Sequence, residues 1–277
     1  MNQKQQQPIL VLGANGNTGR RVAARLQAAN YPTRLGSRNG SPAFDWNRPE
    51  SWDACLDGVG AVYINYPSDL AIPGSTATLA AFVDAAVRNR VGRLVLLTGR
   101  GEAECLRWEE AVKESGLQWT IVRSAWFNQN FTEGGFREMV DAGALALPAG
   151  ERVEPFVDLE DLADVVTAAL TEEGHAGEVY EVTGPELLSF GQVAAALSRG
   201  LGRSVEYVPI SQEAFVAGMT EAGLPEPVIW TMDHLFTEVL DGRNAWVGDG
   251  VQRALGRQPV EFGASDAFGA FGAAATS

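Results

Sequence analysis

The chain has 277 residues, of which 45% are hydrophobic and 20% are charged, enough for one large α/β domain with a smaller appendage. Its formal net charge of -14 argues against binding to nucleic acid or to an anionic membrane surface, because both need clustered Lys and Arg. A polar amino terminus and the lack of an apolar run of membrane-spanning length indicate a cytoplasmic protein with no membrane partner.

The cysteine and histidine content predicts neither a disulfide framework nor a metal site. Cys55 and Cys105 are isolated and lack CxxC spacing, so reduced thiols are expected. His175 and His234 lie far apart in the sequence and lack ligand spacing. We therefore expect no bound metal and interpret both histidines as surface or hydrogen-bonded residues.

Apolar segments alternate with amphipathic segments through the first half of the chain. Strands are predicted at residues 9–12, 33–36, 61–65, 93–98 and 119–123, and helices at residues 20–29, 76–89 and 102–115. This alternation predicts an α/β fold with a Rossmann-type, doubly wound parallel sheet.

The pattern changes after residue 123. Helices are predicted at residues 128–142, 160–170 and 189–200, and extended segments at residues 153–158, 179–182 and 204–208. We predict a dinucleotide-binding Rossmann domain over residues 1–183, in which residues 128–150 contribute to the substrate side. Residues 184–277 are predicted to form a smaller, mostly helical substrate or lid part.

A glycine-rich segment follows the first apolar run and opens the first predicted helix. Glycines at its first, middle and last positions allow a tight turn, close approach of the backbone to phosphate, and packing of the helix on the strand. The helix N-terminus would face the anion. The segment therefore predicts a dinucleotide pyrophosphate site that uses Gly13, Asn15, Gly16, Asn17, Thr18 and Gly19.

The end of the second strand predicts NADPH as the cofactor. NAD-binding proteins usually place an acid there, whereas this chain has Ser37 and Arg38, a hydroxyl and a guanidinium suited to a phosphate. The alternative is that Arg38 is a solvated loop cation. Further cofactor contacts are predicted at Asp45, which could border the adenine, and at the strand ends Tyr66, Pro67, Thr98 and Gly99.

Several longer stretches carry a family resemblance. They are Phe44-Asp45-Trp46, Ser51-Trp52, Ala61-Val62-Tyr63, the run from Trp126 to Phe131, Pro155-Phe156-Val157-Asp158, the run from Gly184 to Ser189, and Gly256-Arg257-Gln258-Pro259. With these stretches the chain resembles the NmrA-like group of atypical short-chain dehydrogenase/reductases. Within that group it is most similar to the ergot-alkaloid reductases, agroclavine and festuclavine dehydrogenases, and their bacterial relatives.

The resemblance implies an NADPH-dependent reductase that transfers a hydride to a cyclic iminium or imine C=N group. The wider group also contains quinone and ketone reductases and non-catalytic sensors of nicotinamide redox state. A quinone, enone or ketone reductase and an NADP(H)-sensing regulator therefore remain alternatives. The expected partner is a small-molecule substrate, cationic or planar, and the expected assembly is a monomer or a homodimer.

The catalytic segment departs from ordinary short-chain dehydrogenases because the Tyr-x-x-x-Lys pair is missing. Leu106 and Glu110 align with these two positions, and Thr98 lies near the usual serine position. An iminium substrate tolerates this loss, since hydride addition gives a neutral amine without a proton donor. The catalytic candidates are Thr98, Glu110 and Trp126.

Some of these residues also have a purely structural interpretation. Glu109, Glu110 and Asp158 could stabilise a bound cation, but paired Glu residues are common on solvated helix faces. Trp126 and Phe127 could flank a nicotinamide or a planar substrate, with Phe127 as a cofactor contact, or could belong to the core.

Overall fold

The computed structural model describes residues 7–66 and 74–264. Up to residue 124 the strands are β1 (Ile9–Leu12), β2 (Thr33–Gly36), β3 (Ala61–Ile64), β4 (Arg93–Gly99) and β5 (Gln118–Ser124). The helices of this part are α1 (Asn17–Ala28), α2 (Trp52–Leu56), α3 (Ser75–Arg88) and α4 (Ala103–Lys113).

From residue 125 onward the strands are β6 (Ala144–Leu147), β7 (Val153–Glu154), β8 (Glu178–Val182), β9 (Leu188–Ser189) and β10 (Glu206–Pro209). The helices are α5 (Arg137–Ala142), α6 (Leu159–Thr171), α7 (Phe190–Leu201), α8 (Gln212–Glu221), α9 (Glu226–His234) and α10 (Gly250–Leu255). Short 3₁₀ turns lie at Pro49–Ser51 and Asn128–Phe131, and a π-helical turn lies at Leu235–Val239.

The main sheet has six strands in the order β2-β1-β3-β4-β5-β8. Strands β1 to β5 pair in parallel, as the long connections through helices require. The direction of winding reverses between β1 and β3, so the carboxyl ends of these two strands form the switch point where ligands bind in such sheets. The predicted Rossmann-type doubly wound sheet is confirmed.

The chain divides into two compact units, each built from separate stretches of sequence. Unit 1 comprises Met1–Ser124, Leu159–Glu181 and Gly250–Arg257, whereas unit 2 comprises Ala125–Asp158, Val182–Asp249 and Gln258–Ser277. This division differs from the single boundary expected at residue 183, because the chain enters unit 2 early and then returns twice to unit 1.

Each unit has its own apolar core. The core of unit 1 contains β-strand residues such as Leu10, Ile64 and Leu96 together with Phe82 and Trp108, all fully or nearly fully buried. The core of unit 2 is rich in aromatic residues, with Phe131, Phe156, Phe190, Phe215 and Phe236 in one cluster. Two small two-stranded sheets, β10-β6 and β7-β9, complete unit 2.

The helix predicted over residues 128–142 is wrong as a continuous element. A 3₁₀ turn over Asn128–Phe131 and the short helix α5 replace it. The break includes Gly134, where a Cβ would lie 2.8 Å from the Cα of Asn130, so the chain folds back more tightly than a helix allows. Gly134 and Gly135 also have the lowest helix propensity apart from proline.

Among the described residues, no helix combines the length and the apolar character that crossing a membrane requires.

Candidate functional site

The glycine loop of unit 1 has the geometry that the sequence predicts. Gly13 has a φ of +63°, a conformation that disfavours side chains, and its carbonyl accepts a hydrogen bond of 2.9 Å from the Gly16 amide. A Cβ at Gly19 would lie 2.2 Å from the Gly13 carbonyl oxygen, closer than any real contact. Glycine is therefore required at Gly13 and Gly19 if α1 is to pack this closely against the end of β1.

Helix α1 begins at Asn17, and Gly16 caps it without a side-chain hydrogen bond. The first amides of a helix have no partner within the helix, so this turn leaves donors for an anion. Asn15 and Gly16 are exposed and Asn17 is half-buried, its side chain accepting a hydrogen bond from Arg20. These features fit the pyrophosphate of a dinucleotide.

Asn65 is a site residue that the sequence analysis missed. Its Nδ2 donates a hydrogen bond of 2.7 Å to the hydroxyl of Thr18, and it lies against Gly13, where a Cβ would approach the same amide at 3.0 Å. The sequence feature that could have identified Asn65 is its position directly after β3, because the carboxyl end of β3 lies next to that of β1. Asn65 therefore links the end of β3 to the first turn of α1 at the switch point.

The segment after β2 holds the two residues predicted to select NADPH. The Ser37 carbonyl accepts hydrogen bonds from the amides of Gly40 and Phe44, which folds this loop back on itself. Arg38 is exposed, and within the described ranges its side chain forms no ion pair. Its guanidinium is thus available to an anionic ligand.

Asp45 stabilises a turn in the Phe-Asp-Trp motif. Its carboxylate accepts a hydrogen bond of 2.9 Å from the Asn47 amide, and its carbonyl accepts one of 2.8 Å from the indole of Trp52. Trp46 is buried and makes an edge contact with Phe44, with the ring centroids 5.1 Å apart. Trp46 therefore belongs to the apolar core of unit 1.

Tyr66 packs between two tryptophans of unit 1. Its ring centroid lies 4.7 Å from that of Trp46 and 4.9 Å from that of Trp108. The neighbouring predicted contact, Pro67, lies outside the described residues. Tyr66 remains half-buried, so its outer face is the part that a cofactor contact would use.

A buried carboxylate lies beneath the carboxyl ends of β4 and β5. Glu109 accepts two hydrogen bonds from the guanidinium of Arg123, at 2.7 and 2.6 Å, and one of 3.0 Å from the ammonium of Lys113. The hydroxyl of Thr98 donates to the same carboxylate at 3.3 Å. Thr98 is itself buried, and its hydroxyl hydrogen is committed to Glu109. At Gly99 a Cβ would collide with the Glu102 carboxylate.

The same guanidinium continues the network toward β8. Arg123 donates a hydrogen bond of 2.9 Å to Glu181, and the buried Arg100 donates one of 2.8 Å to the other oxygen of that carboxylate. Charges buried in this way are tolerated because each has partners of the opposite sign. The network therefore fixes α4 and the last residues of β4, β5 and β8 relative to one another.

The network also determines the protonation state of its members. Burial raises the pKa of Glu109, but the hydrogen bonds and charges of Arg123 and Lys113 outweigh it, so that the pKa of Glu109 falls below its ordinary value. Hydrogen bonding to Glu109 is the main cause that raises the pKa of Arg123. Glu109 is therefore an ionised hydrogen-bond acceptor rather than a proton donor.

Glu110, the predicted catalytic carboxylate, lies on the exposed face of α4 together with Leu106. The buried face of this helix carries Cys105, Trp108 and Glu109. The sequence already indicated that Glu109 lies on the buried face. Cys105, Trp108 and Val112 are spaced by three and four residues, as on one side of a helix, and residue 109 falls on that side. The structure thus brings Thr98 together with Glu109 and not with Glu110.

Unit 2 holds the two aromatic residues predicted for the site. Trp126 is half-buried, stacks on Phe136 with a centroid distance of 6.2 Å, and makes edge contacts with Phe190 and Phe236. Phe127 is half-buried, and its backbone forms a parallel bridge with Val157. Trp126 is therefore part of the aromatic core of unit 2.

Asn128 is a second residue that the sequence analysis did not single out. It is fully buried, and neither its Nδ2 nor its Oδ1 has a hydrogen-bond partner in the part of the chain that the structure describes. The adjacent Gln129 donates a hydrogen bond of 3.0 Å to Asp158. Buried side-chain amides nearly always have hydrogen-bond partners. We therefore expect the amide of Asn128 to form hydrogen bonds with water or with a ligand.

These features define a Rossmann-type protein with a dinucleotide-binding glycine loop, and comparison with known proteins identifies its family. The family model described as NmrA-like matches residues 105–261. The chain is 34% identical to an NAD(P)H azoreductase of Xenophilus azovorans, over 96% of this chain and 100% of the relative. It is 30% identical to festuclavine dehydrogenase of Aspergillus fumigatus, over 92% of this chain and 94% of the relative. The chain belongs to the NmrA-like family, which confirms the resemblance drawn from the sequence.

Solved structures agree with this fold. A triphenylmethane reductase of Citrobacter sp., solved with NADP(H), has a TM-score of 0.79 at 24% identity and covers 94% of this chain and 99% of its own. An NADPH-dependent quinone oxidoreductase of Escherichia coli, solved with NADPH, has a TM-score of 0.78 at 19% identity, with coverage of 92% and 97%. At these identities the similarity establishes the fold alone.

Proposed function

We propose that this chain is an NADPH-dependent reductase of small organic molecules, and that its preferred reaction is reduction of a cyclic iminium or imine C=N group. The observation that carries the cofactor assignment is the glycine loop, in which a Cβ at Gly19 would collide with the Gly13 carbonyl. The relationship to an NAD(P)H azoreductase along almost the whole chain supports the oxidoreductase class.

The residues of unit 1 would hold the cofactor as follows. The loop from Gly13 to Gly19 would take the pyrophosphate at the N-terminus of α1, and Ser37 and Arg38 would take the ribose phosphate. NADPH, when bound, supplies a hydride. Asp45, Tyr66, Thr98 and Gly99 are the further proposed cofactor contacts of unit 1, with Pro67 after Tyr66 in the sequence. Phe127, the remaining contact predicted from the sequence, belongs to unit 2 and stays a separate prediction.

The charge network favours a substrate that needs no proton from the protein. Glu109 is ionised and saturated by Arg123 and Lys113, and the hydroxyl of Thr98 donates to it. Neither group can therefore act readily as a general acid, whereas carbonyl reduction needs a donor for the developing alkoxide. An iminium carbon is already electrophilic, and its reduction gives a neutral amine. Glu110 and Trp126 stay candidate catalytic residues to be tested by substitution.

A second candidate is reduction of an N=N, quinone, enone or ketone group. The observation in its favour is that the azoreductase relative, at 34%, is more similar to this chain than the festuclavine dehydrogenase at 30%. A regulator that senses NADP(H) without turnover is a third candidate.

One assay separates these functions. Purified protein is titrated with NADPH and NADH, and NADPH oxidation is then followed with cyclic iminium ions, azo compounds, quinones and ketones of similar size. The proposal expects selective NADPH binding and the highest kcat/KM for iminium ions. Turnover restricted to quinones or azo compounds would support the second candidate, and tight binding without any turnover would support the sensor.

The proposal includes a cytosolic location and a monomeric or homodimeric state. Cys55 and Cys105 are buried, and neither forms a disulfide within the described residues, which suits a reducing compartment. Cell fractionation and sedimentation measure the location and the oligomeric state.

A further inference from the structure

The hydroxyl of Thr98 has a fixed hydrogen-bond polarity. Glu109 is ionised, so its carboxylate oxygens can only accept, and the contact of 3.3 Å between the two side chains must use the hydrogen of Thr98. Among the residues that the structure describes, none donates a hydrogen bond to Thr98 Oγ1. The lone pairs of this oxygen are therefore what Thr98 can offer to a further partner.

Glu109 is held firmly in the position that orients Thr98. Arg123 donates to both of its oxygens, at 2.7 and 2.6 Å, and Lys113 donates to one of them at 3.0 Å. The side chain of Glu109 is fully buried, so water does not compete for these contacts. The direction of the Thr98 hydrogen is thus determined by an ion-pair network rather than by a single weak contact.

Thr98 lies among the strand ends of unit 1 that carry the proposed cofactor contacts. It is the last but one residue of β4, and the carboxyl ends of parallel strands line the ligand crevice in sheets of this kind. In the neighbouring strand β3, Ile64 pairs with Leu96 of β4. Asn65 and Tyr66 follow β3 directly, so they leave the sheet at the same edge as Thr98.

Trp108, the residue before Glu109 on α4, is a second indication of a ligand at these strand ends. Its ring centroid lies 4.9 Å from that of Tyr66. Trp108 is fully buried, yet its indole Nε1 has no hydrogen-bond acceptor in the part of the chain that the structure describes. Buried N–H groups nearly always have partners. An unused donor and an unused acceptor on two side chains that both contact or adjoin Glu109 and Tyr66 therefore indicate a polar ligand.

We propose that Glu109 is a positioning residue that makes Thr98 a hydrogen-bond acceptor toward the substrate, and that this polarity selects substrates with an N–H group over carbonyl compounds. The inference rests on the proposed reductase function, which it deepens by assigning specificity to these two residues. A carbonyl oxygen needs a donor, and it would meet only lone pairs at Thr98. A protonated imine presents its N–H to the same oxygen, so each group has a partner.

This polarity is compatible with a reaction in which the protein transfers no proton. The imine carbon accepts the hydride as NADPH is oxidised to NADP⁺, and the two π electrons of the C=N bond become the lone pair of the amine nitrogen. The N–H hydrogen stays on the nitrogen throughout. Thr98 therefore positions the C=N group and needs no hydrogen of its own.

Binding is measured in the presence of NADP⁺, which cannot donate a hydride, by equilibrium dialysis with three ligands of the same ring size. They are a protonated cyclic imine, its N-methyl iminium analogue, which has the same charge but no N–H, and the corresponding ketone. We expect the protonated imine to bind at least about tenfold more tightly than either of the others. Thr98→Val should abolish this preference, and Thr98→Ser, which keeps the hydroxyl, should restore most of it.

A second buried threonine of unit 1 provides the matched control. Thr120, in β5, donates a hydrogen bond of 2.7 Å to the carbonyl of His175 and lies nearer the start of its strand. Thr120→Val therefore removes a buried hydroxyl that has a structural partner only. It should change the ratio of imine to ketone affinity by less than about twofold.

Glu109→Gln tests the positioning role separately. The amide of Gln can donate to Thr98 Oγ1, which would release the hydroxyl hydrogen toward the substrate. With NADPH, the ratio of kcat/KM for the ketone to kcat/KM for the imine should then rise at least about tenfold. A structural role alone would lower both values together. If Glu109→Gln does not fold, the Thr98 variants decide alone.

An imine preference that survives in Thr98→Val, or that Thr98→Val and Thr120→Val reduce equally, would overturn the proposal. The two proposals fail separately. Imine-selective binding that Thr98→Val abolishes, without NADPH oxidation by any substrate, would refute the reductase and leave the role of Thr98 intact. NADPH oxidation with the same imine-to-ketone ratio in Thr98→Val and the unmodified chain would refute the role of Thr98 and leave the reductase intact.

Discussion

Glu109 and Glu110 are adjacent in the sequence but have opposite environments. Glu109 is completely buried and receives hydrogen bonds from Arg123, Lys113 and Thr98, whereas Glu110 faces solvent. The residue that aligns with the lysine of ordinary short-chain dehydrogenases is thus not the one that reaches the strand ends. The preceding residue, Glu109, reaches the ends of β4 and β5 and places a negative charge at them.

Substituting these two glutamates separates their roles. Glu109→Gln should lower the free energy of unfolding by about 3 kcal/mol, because it removes the buried carboxylate that pairs with Lys113 and with the half-buried Arg123. Glu110→Gln should change it by less than about 0.5 kcal/mol, as is usual for exposed positions. Urea unfolding measures both. Equal stabilities of the two variants would contradict the network, and a large loss of kcat in Glu110→Gln alone would restore that residue to the catalytic site.

Arg38 carries the prediction of cofactor selectivity. A guanidinium bound to a phosphate contributes roughly 1.5–3 kcal/mol, so Arg38→Ala should raise the Kd for NADPH by about 10- to 100-fold and leave that for NADH nearly unchanged. Arg48→Ala is the control, since that exposed arginine is already paired with Glu50. Equal losses for the two cofactors would remove Arg38 from the proposed site.

At the scale of elements, the contact between β1 and α1 depends on one glycine. Gly19→Ala would place a Cβ 2.2 Å from the Gly13 carbonyl, so α1 must shift away from the loop. We expect a loss of about 1–3 kcal/mol in stability and at least tenfold weaker NADPH binding. The control is Gly218→Ala in α8, where a Cβ meets nothing within 4 Å and should stabilise the helix by up to about 1 kcal/mol. Unchanged NADPH affinity in Gly19→Ala would contradict the assigned loop geometry.

Helices α1 and α6 of unit 1 are joined by a second charge network. Arg21 and Arg25 both bond Glu160, and Arg25 also bonds Asp164. Arg257, from the Gly-Arg-Gln-Pro stretch, bonds Asp161 and Asp164 on the same helix. Burial raises the pKa of Glu160, but hydrogen bonds from Arg25 and Arg21 outweigh it and leave the pKa below its ordinary value.

This network predicts how stability depends on pH. A carboxylate whose pKa is lower in the folded state stabilises the fold above its unfolded pKa, about 4.3 for Glu, and loses this effect as pH falls through the folded pKa. Stability should therefore decline below about pH 4.3, and Arg25→Ala should flatten part of that decline. Because Glu160 is 47% exposed, the change should be only about 0.5–1 kcal/mol. Urea midpoints across acidic pH measure it, with Arg137→Ala in the exposed pair with Asp141 as control. Identical acid profiles for the Arg25 variant and the unmodified chain would contradict the prediction.

Local patterns in the sequence predicted much of unit 1 and less of unit 2. The first five strands and the glycine loop could be predicted because each is encoded by neighbouring residues. The break at Gly134 and Gly135 was missed because apolar residues on both sides continue a helical composition. Glu109 could have been placed on the buried face from Cys105 and Trp108.

Other features depend on contacts between residues that are distant in the sequence. The ion pair of Arg123 with Glu181 joins residues 58 positions apart, and no local pattern announces it. The chain returns to unit 1 twice, through α6 and α10. No local sequence pattern predicts these returns, because they depend on contacts with residues far away in the sequence. Only the contacts within unit 2 show that residues 125–158 and 182–249 belong together.

The central claim, hydride transfer from NADPH to a C=N carbon, is tested most directly by following the hydride itself. NADPH carrying deuterium at the transferable position is incubated with the protein and a planar cyclic iminium ion, and the product is analysed by mass spectrometry and NMR. We expect one deuterium on the former C=N carbon, and at least about tenfold slower incorporation at limiting NADPH when Gly19→Ala replaces the unmodified chain. Tight NADPH binding without deuterium on that carbon, or NADPH oxidation confined to azo, quinone or ketone substrates, would contradict hydride transfer to C=N.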